Sequence, residues 1–234
     1  MLILAVDTTT RAGSLAVLRA EGEHGTLLGS VSSDGEEPYS SRLFRQLEFL
    51  LGEARLETGD FDLFAVAAGP GSFTGLRVGL TAVKGWAEVH SKPVAAVSAL
   101  EAVAWLARVP ATVLVPVMDA HRGQVFASIC ERAGETLSRR GEEALLNREE
   151  LAEFVQSAGP DAVLISPEAD AVTQMLGGTA MAHARVESVS RVLAPAIAAL
   201  GWKRALRGEV TDALHLDANY VRRSDAELLW KDSQ

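Results

Sequence analysis

An α/β fold of two lobes, each opened by a β-hairpin, is predicted by three features of this sequence. Residues 2–6 form an apolar run closed by Asp7; a turn-rich segment follows, and residues 14–18 return as a second strand. The same plan restarts at Thr112, where residues 113–118 are apolar, Asp119 closes them, and 124–129 come back after a polar turn with Gly123. Between the two, the apolar run 63–68 passes through Gly69-Pro70-Gly71 straight into a helical pattern. The repeat lies in pattern more than in identity. It implies two related lobes with Asp7 and Asp119 at matching bends, facing each other across a cleft.

The remaining elements follow in order. Residues 21–25 make a second turn and lead to a third strand near 27–32. Pro38 opens a helix, since proline suits a first helical position, with Leu43, Leu47, Leu50, Leu51 and Ala54 on one face. The helix after the glycine corner runs to about Val89, with Ser72 as its N-cap. A strand is predicted at 93–97, then a helix over 98–108 capped by Ser98 with Glu101 three residues on. In the second half the pattern gives a helix over 147–157 capped by Asn147, a strand at 162–166 and a helix over 190–207. This divides the chain into an N-terminal lobe, 1–108, a C-terminal lobe, 109–189, and a helix and tail, 190–234, packing back on the lobes.

Composition narrows the function. The 234 residues are enough for one large domain or two small ones. The formal net charge of −9 argues against gripping nucleic acid by a general electrostatic footprint. One cysteine, Cys130, rules out an internal disulfide. The apolar start lacks a basic leader and reads as a strand, no run is long enough to span a bilayer, and a cytoplasmic location is the default expectation.

The glycine corner has two readings. Its helix-start amides can cradle a phosphate, or the corner only turns a strand into a helix. No Lys-Ser or Lys-Thr follows, as a P-loop would require, so the structural reading comes first. The helix behind it carries two lines: Phe73, Leu76, Leu80, Val83 and Ala87, and beside them Gly75, Gly79, Ala82 and Trp86. Interior glycines cost about 1 kcal/mol each against alanine, so a close contact is expected along the second line. That contact is either with the Pro38 helix of this chain or with a helix of another chain. Asp7 and Asp119 suit a metal or phosphate-bound water, or they simply cap their turns. The five histidines are scattered without i, i+4 pairs, which argues against a histidine metal site. Glu142-Glu143 and Glu149-Glu150 read as solvated faces.

The segment Gly69-Pro70-Gly71-Ser72-Phe73-Thr74-Gly75-Leu76-Arg77-Val78-Gly79 resembles the signature of the bacterial TsaB (YeaZ) family. That family supplies a partner subunit in tRNA threonylcarbamoyladenosine synthesis. Residues 3–8, the segment 118–126 and Asn219-Tyr220-Val221-Arg222 resemble further stretches of it, so the likeness runs through almost the whole chain. The resemblance implies an actin-like, Hsp70-like two-lobed fold and a non-catalytic role. The related catalytic subunit, TsaD, carries a His-x-x-x-His metal pair in its first long helix; Tyr39 and Leu43 stand at that spacing here. His121 and Gln124 stand where the family often has arginine and glutamate.

The function expected from the resemblance is a scaffold and activator that pairs with TsaD and contacts tRNA through the complex, with a TsaE-type ATPase resetting it. The expected partner interface is Leu43, Leu47 and Leu50 with Phe73, Leu76, Gly79, Leu80, Ala82, Val83 and Trp86. The same helices would mediate a homodimer when the chain is alone. No cofactor is required; ATP or ADP at an inter-subunit or vestigial site would meet Asp7, Thr8, Gly69, Gly71 and Asp119. The rival is a nucleotide-dependent transferase or kinase of the same fold. A peptidase would need a metal pair or a nucleophile elbow, and the sequence carries neither motif.

Overall fold

The computed structural model describes residues 1–22, 24–35 and 37–221. Arg222 and Arg223, which extend the Asn219 segment, lie outside these residues. The first sheet contains β1 (Leu2–Asp7), β2 (Ser14–Glu21), β3 (His24–Ser32), β4 (Leu63–Gly69) and β5 (Val94–Ser98) in the order β3-β2-β1-β4-β5. The second contains β6 (Val113–Asp119), β7 (Val125–Ala133), β8 (Thr136–Leu146), β9 (Val163–Ser166) and β10 (Val186–Ser188) in the order β8-β7-β6-β9-β10. The two orders are the same when each sheet is numbered from its own first strand. In both, the first three strands pair antiparallel, and the fourth lies parallel to the first and the fifth to the fourth. This duplicated, hairpin-led α/β arrangement is the two-lobed plan that the repeat implied.

Helices fill the layers around the sheets. On one side of the first sheet lie α1 (Tyr39–Ala54) and α2 (Phe73–His90), sharing a core with Leu4, Val6, Phe64 and Val66. On its other side α3 (Ala99–Trp105) and α6 (Ala194–Leu206) pack against Ile3, Ala5, Ala65 and Val97. That same cluster reaches Leu114, Met118, Phe126 and Ile165 of the second sheet, so the two sheets share one continuous core. The outer face of the second sheet is covered by α4 (Arg148–Ala158) and α5 (Ala169–Leu176). Small residues let α6 lie close to the first sheet: a Cβ on Gly201 would press into Ala65. Ser14 Oγ accepts from the Ala194 N–H at 3.0 Å, which fixes the start of α6 at the first hairpin.

The local signals place most elements. Ser72 caps α2 through the Gly75 N–H, Ser98 caps α3 through the Glu101 N–H, and Asn147 and Glu150 form a capping box on α4. Differences arise where the pattern is weak. The helix expected over 190–207 begins at Ala194, and β8, α5 and β10 were not foreseen. Strand β8 contains Arg139, Arg140, Glu142 and Glu143 and is largely solvent-facing, so no apolar alternation marks it. Among the described residues no helix is long and apolar enough to cross a membrane.

Candidate functional site

The site is built from the first hairpin bend upward. Asp7 ends β1 and is buried. Its Oδ1 accepts from the Thr9 N–H at 2.9 Å and from the Thr9 hydroxyl at 2.6 Å. Oδ2 is buried and has no hydrogen-bond partner among the described residues. Burial raises the carboxyl to about 6, and the two Thr9 bonds only partly oppose that rise. The glycine corner closes over this bend. The Thr8 hydroxyl donates to the Gly75 carbonyl at 2.7 Å, and the Ser72 N–H donates to the Thr9 carbonyl at 2.9 Å. A Cβ on Gly75 would collide with the Thr8 carbonyl oxygen, and one on Gly79 with the Thr8 hydroxyl.

The glycine line of α2 therefore has a contact, but not the expected one. Gly75 and Gly79 meet the Asp7-Thr8-Thr9 bend of this chain's own first strand, not another helix. Helical spacing identifies a close-packed face without saying what lies against it. The bend is also braced from α1. The Tyr39 hydroxyl donates to the Thr10 carbonyl at 2.7 Å, and Arg42 donates to the Arg11 and Ser33 carbonyls, each at 2.7 Å. The Arg42 guanidinium lies 4.0 Å from the centre of the Tyr39 ring. Burial pushes the Tyr39 phenol well above its usual range. Leu43, at the other position of the x-x-x spacing, is sealed in the core. Among the described residues no group of three His, Cys, Asp or Glu side chains is placed to hold a metal ion.

A cleft of about 1340 Å³ separates this bend from the second lobe. Thr9, Thr10, Gly71 and Ser72 form one wall, and Asp119, His121, Arg122, Glu168 and Arg191 the other. Asp7 and Asp119 do not face each other across it. Asp7 is sealed behind Thr8 and Thr9, whereas the Asp119 side chain stays 52% exposed. Asp119 closes its own turn, accepting from the His121 N–H at 2.8 Å and lying 3.1 Å from His121 Nδ1. Of the expected nucleotide residues, Gly71 and Asp119 line the cleft, and Asp7, Thr8 and Gly69 lie behind its wall.

The expected partner interface needs a correction. Leu43, Leu47, Leu50, Leu76, Gly79, Leu80 and Val83 are buried within this chain. The apolar stripe of each helix goes to the sheet, where it joins Leu4, Val6, Phe64 and Val66 in one core and is removed from water. Phe73, Ala82 and Trp86 remain half-exposed. With Phe44, Thr74, Arg77, Val78 and Gly85 they line an outward apolar groove of about 640 Å³ between α1 and α2. Phe44 is 56% exposed and meets Trp86 edge-on, with ring centres 6.3 Å apart. Phe44 widens the apolar face of α1 beyond its periodic stripe, and the expected interface left it out.

Comparison with known proteins agrees with this architecture. A family model described as TsaD, tRNA N6-adenosine threonylcarbamoyltransferase, matches residues 27–198. A Bacillus subtilis protein described as tRNA threonylcarbamoyladenosine biosynthesis protein TsaB is 27% identical over 243 residues, spanning 100% of both chains. A Haemophilus influenzae protein of the same description is 32% identical over 131 residues, 55% of this chain and 53% of its own length. The solved structure of YeaZ from Pseudomonas aeruginosa superposes with a TM-score of 0.74 at 26% identity, over 94% of this chain and 99% of that one.

Proposed function

Because this chain belongs to the tRNA N6-adenosine threonylcarbamoyltransferase (TsaD) family, and within it stands with the TsaB (YeaZ) relatives, we propose that it serves tRNA threonylcarbamoyladenosine synthesis as a non-catalytic partner subunit. It pairs with a TsaD-type catalytic chain through the outer faces of α1 and α2, and reaches tRNA only through that complex. A TsaE-type ATPase acts on the assembled pair. When alone, the chain covers the same groove with a second copy of itself.

One observation carries this reading: the groove of Phe44, Phe73, Val78, Ala82 and Trp86 gathers aromatic rings on the solvent side of α1 and α2. Aromatic clusters in a shallow apolar groove are typical anchors for a partner chain. The Tyr39–Leu43 spacing supports the non-catalytic part, since the phenol is spent on the Thr10 carbonyl and the leucine on the core. Co-purification of the TsaD-type chain from the same genome tests the reading. Phe44→Glu, which places a carboxylate in the groove and leaves the core intact, is expected to abolish co-purification. Wild-type recovery of the complex with Phe44→Glu would refute the assigned face.

The cleft supports a second reading, a nucleotide-dependent transferase, because both lobes contribute walls to it. Calorimetry with ATP and magnesium separates the two. Micromolar binding with turnover favours the transferase; no turnover favours the partner subunit.

A further inference from the structure

The stretch 211–221 crosses the molecule as a strap. Thr211 and Val94, at the start of edge strand β5, exchange two backbone hydrogen bonds of 2.8 Å. Ala213 and Leu216 are buried in the core shared with α1 and α2. The Asn219 N–H donates to the Ala68 carbonyl at 2.7 Å, at the end of β4. Gly69 has φ +120°, and a Cβ there would collide with the Asn219 carbonyl oxygen, so the first glycine of the corner is shaped to receive the strap. The Tyr220 ring then rests on Phe73, with centres 5.2 Å apart. Phe73 is the first residue of α2 and lines both the cleft and the groove.

A carboxylate from the other lobe holds this strap. Glu143 lies on β8, and its side chain is only 2% exposed. Its Oε2 accepts from Asn219 Nδ2 at 2.5 Å, and its Oε1 accepts from Ser98 Oγ at 2.5 Å. Arg139 Nη1 lies 3.1 Å from Oε1. Ser98 is in turn the N-cap of α3. One side chain thus joins β8 of the second sheet, the β5–α3 junction of the first, and the strap. Burying a carboxylate is costly unless charge-assisted hydrogen bonds compensate, and these partners supply them.

We propose that Glu143 is a positioning residue for the partner face: by tethering Asn219 it seats Tyr220 on Phe73, sets the first turn of α2, and couples the second lobe to the groove. The coupling rests on the reading that this groove receives the TsaD-type chain; the tether does not. Two measurements on the full chain separate them. Amide hydrogen exchange of the free chain reads the tether, and affinity for the TsaD-type chain reads the coupling. Asn219→Ala removes the tether and leaves the carboxylate its Ser98 and Arg139 partners. It is expected to speed exchange at least tenfold at the amide of position 219 and at 75–77, with the central sheet amides unchanged, and to weaken the affinity at least fivefold. Glu143→Gln, which sets an amide donor against the Asn219 or Ser98 donor, shifts both in the same direction. Unchanged exchange in Asn219→Ala overturns the tether. Faster exchange with unaltered affinity, while Phe44→Glu abolishes binding, overturns the coupling. Intact binding in Phe44→Glu sinks the groove reading, and the coupling with it, while exchange still judges the tether.

Discussion

The two lobes repeat one plan and finish it differently. In the first, β4 turns through Pro70-Gly71-Ser72 into an 18-residue helix whose glycines lie on the Asp7 bend. In the second, β9 turns through Pro167-Glu168 into the 8-residue α5, which contains no glycine. The bend of the first lobe is roofed and its aspartate is sealed from water. The bend of the second stays open and its aspartate caps the turn in solvent. The same strand–aspartate–turn unit is thus a packed structural element in one copy and a surface turn in the other. In the first copy the roof depends on Gly75 and Gly79, which let α2 close onto Thr8.

Substitutions that exchange the two situations should have unequal effects. The largest is Gly75→Ala. The added methyl enters the Thr8 carbonyl oxygen, a backbone atom that cannot swing aside, and overpacking without room to relax costs about 3 kcal/mol or more. Denaturant unfolding should show that loss, and a wild-type midpoint would mean that the bend is not roofed as described.

Asp7→Asn comes next and has the opposite sign. The folded-state value of Asp7, about 6, lies above the unfolded value of 3.8. Between those values the folded chain keeps a proton that the unfolded chain has released, so stability falls as pH rises from about 4 to about 6 and stays low above. Asparagine keeps the acceptor for Thr9 and removes the charge. The variant should gain up to about 3 kcal/mol above pH 6, with the gain vanishing near pH 4. Thermal unfolding across that range checks it, and a gain independent of pH would contradict the assignment to the buried charge. Asp119→Asn, in the open bend, should change stability by less than about 0.5 kcal/mol at pH 7. A larger loss would mean that the second bend is more tightly held than its exposure implies.

The parts of the fold that depend on neighbours in sequence were legible before the structure. Both hairpins, the strand–corner–helix unit and the caps at Ser72, Ser98 and Asn147 rest on short-range chemistry. The site was harder to read, because its defining contacts join residues far apart in the chain. Periodicity identified Leu76, Leu80 and Val83 as one apolar stripe of α2, but nothing local says that the sheet takes that stripe and leaves Phe73, Ala82 and Trp86 outside. The spacing of Gly75 and Gly79 announced a close approach; its target, Thr8, is 67 residues from Gly75. Glu143 read as a solvated charge because its partners, Ser98 and Asn219, lie 45 and 76 residues away. Arg42 gave only a weak signal, a cation beside Leu43 on the buried face of α1.

The central claim is that the outward face of α2, and not its buried stripe, meets the partner. Gly85 lies on that face in open space, and an added Cβ meets none of the described residues. Gly85→Arg also removes a helix-interior glycine, which favours the helix by roughly 1 kcal/mol. The direct test is calorimetric titration of this variant with the TsaD-type chain, alongside its melting temperature. The account predicts an unchanged or higher melting temperature and an affinity weakened at least a hundredfold. Wild-type affinity in a variant of wild-type stability would contradict it.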